Sequence, residues 1–284
     1  MHASVAKAPI TALASVRIFG VDLDLDSISN HLGIQPSESH RKGDLSLPSR
    51  SYSEDMWRID SPHPKTETLE VHLSWLGQVL VPRYDFIRRL RENHEVSSYC
   101  GISVDGDNCR FQISPESLRM FVDLGIAMNL TVIFIGGSES GSTSDAPGSA
   151  RTESPGTITS LEATGKPSDL SEVARELNHL ASYASRAGEP EASANAERPA
   201  FWALTAPEVL EGGLDAQLIW LATELMPYAS FLRPITPRVG LLVRCVLRTE
   251  SDISDQSLSP EGLSFLTSLE IPLEFDVSLV TAGG

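Results

Sequence analysis

Asp22, Asp24 and Asp26 alternate with apolar residues, and spaced carboxylates are the raw material of an oxygen-ligand metal site. A calcium loop also needs a glycine for its sharp turn and a terminal glutamate, and the pattern supplies neither. Acids decorating the first turn of a helix account for the cluster better. His31, His40, His63, His72 and His94 lack the spacing of a zinc site, so no metal is expected. Among them His72, on a leucine-rich segment, is the one candidate for acid–base chemistry, against the plainer reading of a polar residue flanking an apolar stripe. Cys100 and Cys245 lie in apolar runs, as buried reduced thiols do, and with Cys109 the three are too few for a disulfide framework. No GxSxG elbow, Walker loop or dinucleotide fingerprint is present, so neither a catalytic residue nor a cofactor is expected.

The residues that stand out do so because they occur twice. Leu69–Leu76 (LEVHLSWL) returns as Leu214–Leu221 (LDAQLIWL), and the same offset of 145 superposes Pro82 on Pro227 and Ser114-Pro115-Glu116 on Ser259-Pro260-Glu261. From position 12 to 135 the offset gives 27 identities in 124 pairs, against roughly 6–7% from average usage. The chain reads as a tandem duplication. At about one-fifth identity, unconstrained positions should have diverged, which singles out Arg41 with Arg186, Gly43 with Gly188, and Trp57 with Trp202. These six are the candidate ligand- or partner-binding residues: an arginine loop beside an aromatic could hold an anionic or peptide ligand in a groove. The competing reading places both tryptophans in the core.

Each repeat must therefore supply its own scaffold. The expected organisation is a flexible N-terminus (1–11), one domain at 12–135, a Gly/Ser/Pro-rich linker at 136–156, and a second domain at 157–280, independently packed and loosely tethered. In the first repeat, strands are expected at 12–21 and around Trp57, and a short helix over 26–33. Leu69, Leu73, Leu76 and Leu80 then form one stripe of a long helix that Pro82 ends or bends. Residues 95–104 and 109–113 read as a hairpin around Asp105-Gly106-Asp107-Asn108. Ser114-Pro115-Glu116 marks a helix start, and residues 126–135 a final strand. The expected fold class is α+β, a mostly antiparallel sheet packed with helices, with a distorted ferredoxin-like order as one form.

Composition narrows the function classes. With 41% hydrophobic and 21% charged residues the chain is of globular type, without an apolar run long enough for a membrane helix. The formal net charge of −16 opposes direct nucleic-acid binding and leaves a protein partner, a basic one, as the expected kind. Oligomeric state is open.

Gly20 after the first strand, LGIQPS at Leu32–Ser37, Gly43, Trp57, the LEVHLSWL helix and ISPESL at Ile113–Leu118 together resemble the bacterial DUF4279 domain. The resemblance covers most of the first repeat. The other repeat resembles a degenerate member, in which LGIQPS has become LNHLAS at Leu177–Ser182. The resemblance implies a bacterial cytosolic domain and no specific chemistry. The function expected is a non-catalytic cytoplasmic binding module, in one form an immunity-like protein that covers another protein. The alternative is an enzyme or small-ligand sensor with its site between the two copies.

Overall fold

Period-two alternation dominates the strands: Val16, Ile18, Trp57 and Ile59 point to one side of their sheet, while Arg17, Phe19, Met56 and Arg58 point to the other. The computed structural model describes residues 10–47, 50–135, 155–177, 180, 184–186, 200–208 and 210–280. The expected N-terminal segment, apart from its last residues, and most of the expected linker lie outside them.

In the first half, β1 (Ile10–Gly20) leads to α1 (Leu25–Leu32). Asp24 caps that helix by accepting from the Ser27 N–H, and Gly33 ends it at φ +68, a left-handed conformation that favours glycine. The aspartate cluster is thus a helix start. Short strands β2 (Glu38–His40), β3 (Leu45–Leu47) and β4 (Arg50–Ser51) precede β5 (Asp55–Asp60). Helix α2 (Leu69–Leu80) buries its leucine stripe, passes through a 3-10 turn at Val81–Arg83 that contains Pro82, and continues as α3 (Tyr84–Arg91). Then come β6 (Glu95–Asp105), β7 (Asn108–Ile113), α4 (Pro115–Leu124) and β8 (Met128–Ile135).

The second half repeats this plan with β9 (Gly156–Gly165), α5 (Pro167–Leu177), β10 (Ala184–Arg186), β11 (Ala200–Thr205), α6 (Gly213–Leu225), α7 (Ala229–Ile235), β12 (Gly240–Thr249), β13 (Ile253–Leu258), α8 (Pro260–Leu269) and β14 (Leu273–Leu279). Serine caps and first-turn prolines start α4 and α8 as expected, with Ser114 accepting from the Ser117 N–H and Ser259 from the Gly262 N–H. A second device reinforces both. Glu70, on α2, accepts from the N–H of Ser114 and the hydroxyls of Ser114 and Ser117, and Asp215, on α6, accepts from the N–H and hydroxyl of Ser259.

The fold class is α+β, with two six-stranded sheets in the orders β13-β8-β6-β1-β5-β2 and β7-β14-β12-β9-β11-β10. All neighbours are antiparallel except β6 with β8 and β12 with β14. Three expectations are corrected here. Strands β6 and β7 do not form a hairpin: β7 crosses to pair with β14 in the second sheet, and β13 crosses in return to pair with β8 in the first. The halves are therefore interlocked: each sheet holds a strand from both, so residues 12–135 and 157–280 are not the independently packed units expected. The ferredoxin-like order also fails, because a split βαβ keeps a strand between its parallel pair whereas β8 lies directly beside β6.

Cross-strand chemistry explains the exchange. As paired, Arg110 stands opposite Asp276, and the Phe111 and Phe275 rings stack at 5.0 Å. Asp255 stands opposite Thr131 and accepts its hydroxyl at 2.6 Å. Without exchange, in the equivalent register, Asp255 would face Asp276 and Phe111 would face Leu130. Opposite charges and aromatic pairs favour the observed partners, and like charges disfavour the alternative. Helices α4 and α8 pack against each other, and Arg119 donates to the Thr267 carbonyl across that contact. The helix layers thus meet and share one continuous core.

Candidate functional site

The expected site dissolves into the fold at its tryptophans. Trp57 is 0% exposed and its Nε1 donates at 3.0 Å to the Ser29 hydroxyl on α1. Trp202 is 5% exposed. Both are core side chains, so neither lines a ligand groove; their size and apolar area explain why they recur. Arg41 is tied into a loop organised by Asp55, a buried carboxylate. It accepts from the N–H groups of Leu23 (2.8 Å) and Lys42 (2.7 Å) and from the Arg41 guanidinium (3.2 Å), which also donates to the Leu23 carbonyl. These hydrogen bonds, the Lys42 N–H first, hold the Asp55 pKa below the usual carboxylate value against the opposing effect of burial. Gly43 is exposed at φ +90, with open space where a side chain would begin, so its backbone conformation accounts for the glycine. Arg186 closes β10 opposite Trp202. Its side chain, and Gly188 altogether, lie outside the described residues.

Unspent chemistry gathers instead on the outward face of the first sheet, away from α1 and α2. A cleft of about 300 Å³ is lined there by Arg17 and Phe19 of β1, Glu38 and His40 of β2, Met56 and Arg58 of β5, and Tyr52–Glu54. Strand pairing sets Arg17 directly beside Arg58, and Phe19 beside Met56. Arg58 is paired with Asp60 (2.6 Å) and Glu38 (3.1 Å). Arg17 has no carboxylate partner among the described residues. Its guanidinium lies 4.8 Å from the centre of the Tyr99 ring, a cation–π contact, and its Nε is sealed from solvent without a hydrogen bond. Burial and then the adjacent Arg58 push the Arg17 pKa down, against weaker opposing attraction from Tyr99, Asp60 and Glu38. Tyr99 lies along β6 over Gly101, where even a Cβ would come within 2.9 Å of the ring. His40 stacks on Tyr52 with ring centres 3.4 Å apart, and its Nδ1 is likewise buried without a partner.

The matching face of the second sheet has closed on itself. Glu162 occupies the place of Arg17, and Ala203 that of Arg58. Arg244 bridges Glu162 (3.3 Å) and Glu274 (2.8 Å), while Arg110 on the exchanged strand holds Asp276 and approaches Glu274 at 3.8 Å. Every arginine of this ladder has a carboxylate. Burial raises the pKa of Glu162, with Arg244 opposing.

A second cleft, of about 510 Å³, lies where β7 leaves the first sheet, between Thr66–Glu70, Ala12, Ile102 and Arg110–Gln112. Its carboxylates are Glu67 and Glu70, and Glu70 is engaged with the start of α4. His72 is buried nearby on α2, both ring nitrogens lacking a hydrogen-bond partner among the described residues; burial, then the neighbouring His63, lowers its pKa. Cys100, Cys109 and Cys245 are free and buried, their thiols pushed up to about 12. Among the described residues no group of three or more His, Cys, Asp and Glu is placed to hold a metal ion, and no helix is long and apolar enough to cross a membrane.

With the geometry in hand, comparison to known families is informative for the first half. Residues 9–134 match the family described as a domain of unknown function, DUF4279. The first half is a DUF4279-like unit. No curated protein matches the chain. The matched span includes β7, so a DUF4279-like segment here sends one strand away and receives β13 in the place beside β8.

Arg17, Arg58, His40, Tyr52 and Tyr99 escaped the sequence reading because none of them recurs at the offset of 145. The signal that could have found them was strand alternation, which puts a lone Arg17 in ALASVRIFG on the face opposite Val16 and Ile18.

Proposed function

We propose that the chain is a non-catalytic binding module of the bacterial cytoplasm. Its DUF4279-like half presents a ligand site on the outward sheet face, and the second half braces that sheet by supplying β13. The observation that carries this reading is Arg17: a half-buried guanidinium beside a second guanidinium, capped by Tyr99, with no carboxylate in direct ion-pair contact among the described residues. A partly desolvated cation left unpaired is costly unless something supplies the opposite charge. An anionic group of a ligand or partner does so. Three free, buried thiols suit a reducing compartment. An immunity-like role with a basic protein partner rests on the net charge of −16, and such a partner would use the acidic surface outside this cleft.

The test is a thermal-shift survey of small acids on the whole chain and on Arg17→Met. Acids that raise the melting temperature of the parent should lose that effect in the variant, without being chemically altered on recovery. Stabilisation that persists in Arg17→Met, or turnover of the added compound, counts against the reading.

A further inference from the structure

The geometry points to a small monocarboxylate with a flat ring as the ligand class of the Arg17 cleft, an inference that rests on the binding-module reading and narrows it. Charge sets the first limit. Glu38 and Asp60 are both bonded to Arg58 and reach Arg17 only through longer-range attraction, and Glu54 stands at the rim. One negative charge can therefore sit against Arg17, the guanidinium without an acid, while each further charge on the ligand meets carboxylates already in place. A phosphate dianion is disfavoured on that count.

The walls set the second limit. The stacked His40 and Tyr52 rings, Phe19 and Met56 present flat or soft apolar surface around the cationic floor, as sites for ring-bearing ligands do. Size sets the third: a cleft of about 300 Å³ lies at the small end of ligand pockets, roughly 300–1,000 Å³, and so suits a small acid. A benzoate-sized acid fits all three limits. Among the described residues the second sheet offers no such place, because Glu162 stands where Arg17 would be and is already bridged to Arg244.

Calorimetric titration of the whole chain with benzoate, benzamide and inorganic phosphate tests the assignment, with amide and ring NMR shifts reporting the place of binding. Benzoate should bind and shift the Tyr99 and His40 signals. Benzamide, the same shape without charge, should bind about tenfold or more weakly, as a lost charge-assisted pair implies. Phosphate should not bind. Arg17→Gln, checked for an unchanged fold by circular dichroism, should reduce benzoate to the benzamide level, and Glu38→Gln should let phosphate in. Phosphate binding that depends on Arg17 in the unaltered chain, or equal affinity for benzoate and benzamide with shifts in the cleft, overturns the monocarboxylate class while leaving the site in place. Absence of shifts at Tyr99 and His40 with all three compounds overturns the class and the site together.

Discussion

Reversing the charges at positions 110 and 255 should undo the reason for strand exchange. In the structure Arg110 meets Asp276 and Asp255 meets Thr131; without exchange Arg110 would meet Thr131 and Asp255 would meet Asp276. An opposite-charge cross-strand pair contributes about 0.2–1 kcal/mol, and a like-charge pair costs a similar amount. The Arg110 side chain is 55% exposed and that of Asp276 28%, so solvent screens the pair and the combined preference is set at about 1 kcal/mol, roughly fivefold. The double variant Arg110→Asp with Asp255→Arg reverses its sign. What still favours exchange is the Phe111–Phe275 stack, worth about 0.5–1.5 kcal/mol. The two nearly cancel, so the double variant should populate both arrangements. Adding Phe111→Gln and Gln256→Phe should move it to the unexchanged form.

Cys109 reports the outcome, because it stands opposite Val277 in the exchanged sheet and would stand opposite Val132 otherwise. In a background with Cys100 and Cys245 replaced by alanine, Val277→Cys or Val132→Cys is introduced and the protein is oxidised during refolding. Facing residues of an antiparallel pair are about 4.5–5.5 Å apart at Cα, within disulfide reach. Mass spectrometry should find the 109–277 bridge with the native charges and both bridges with the reversed ones. A 109–132 bridge with the native charges, or the same bridge pattern in both backgrounds, would refute the argument.

Three further predictions follow from buried groups. His72 has a folded pKa below its unfolded value of about 6.5, so its contribution to stability is complete above that pH and is lost as pH falls through it; denaturation midpoints between pH 8 and 5 should decline less in His72→Gln. Combining His72→Gln with Ala14→Thr should add stability, since it copies the buried Thr159–Gln217 hydrogen bond of 2.7 Å from the second half. Trp57→Ala should cost about 3–5 kcal/mol in urea unfolding, whereas an exposed binding tryptophan would cost little.

The local elements were legible because their signals are local. The Asp24 cap, Gly33, the leucine stripe of α2, the turn at Pro82 and the serine starts of α4 and α8 each depend on neighbours a few residues away. Strand partnership is different. The turn after Asp105 says that β7 begins at Asn108, but whether it pairs with β8 or β14 is decided by Asp276 and Phe275, more than 160 residues later. Recurrence between the halves found core positions such as Trp57 and Trp202, since packing is what both halves must keep. It could not find Arg17, Arg58 or His40, because the second half replaces them with Glu162, Ala203 and Ser185.

The interlocking of the halves is tested most directly by urea unfolding followed through the tryptophans of one half at a time. Replacing Trp57 and Trp75 with phenylalanine leaves Trp202 and Trp220 as reporters, and the converse pair reports the first half. Because each sheet needs a strand from the other half, fluorescence and far-ultraviolet circular dichroism should change together, at one midpoint within each variant, with a slope suited to the surface of the whole molecule. Two separated transitions, in which one half's tryptophans respond while the other half's secondary structure persists, would contradict the account.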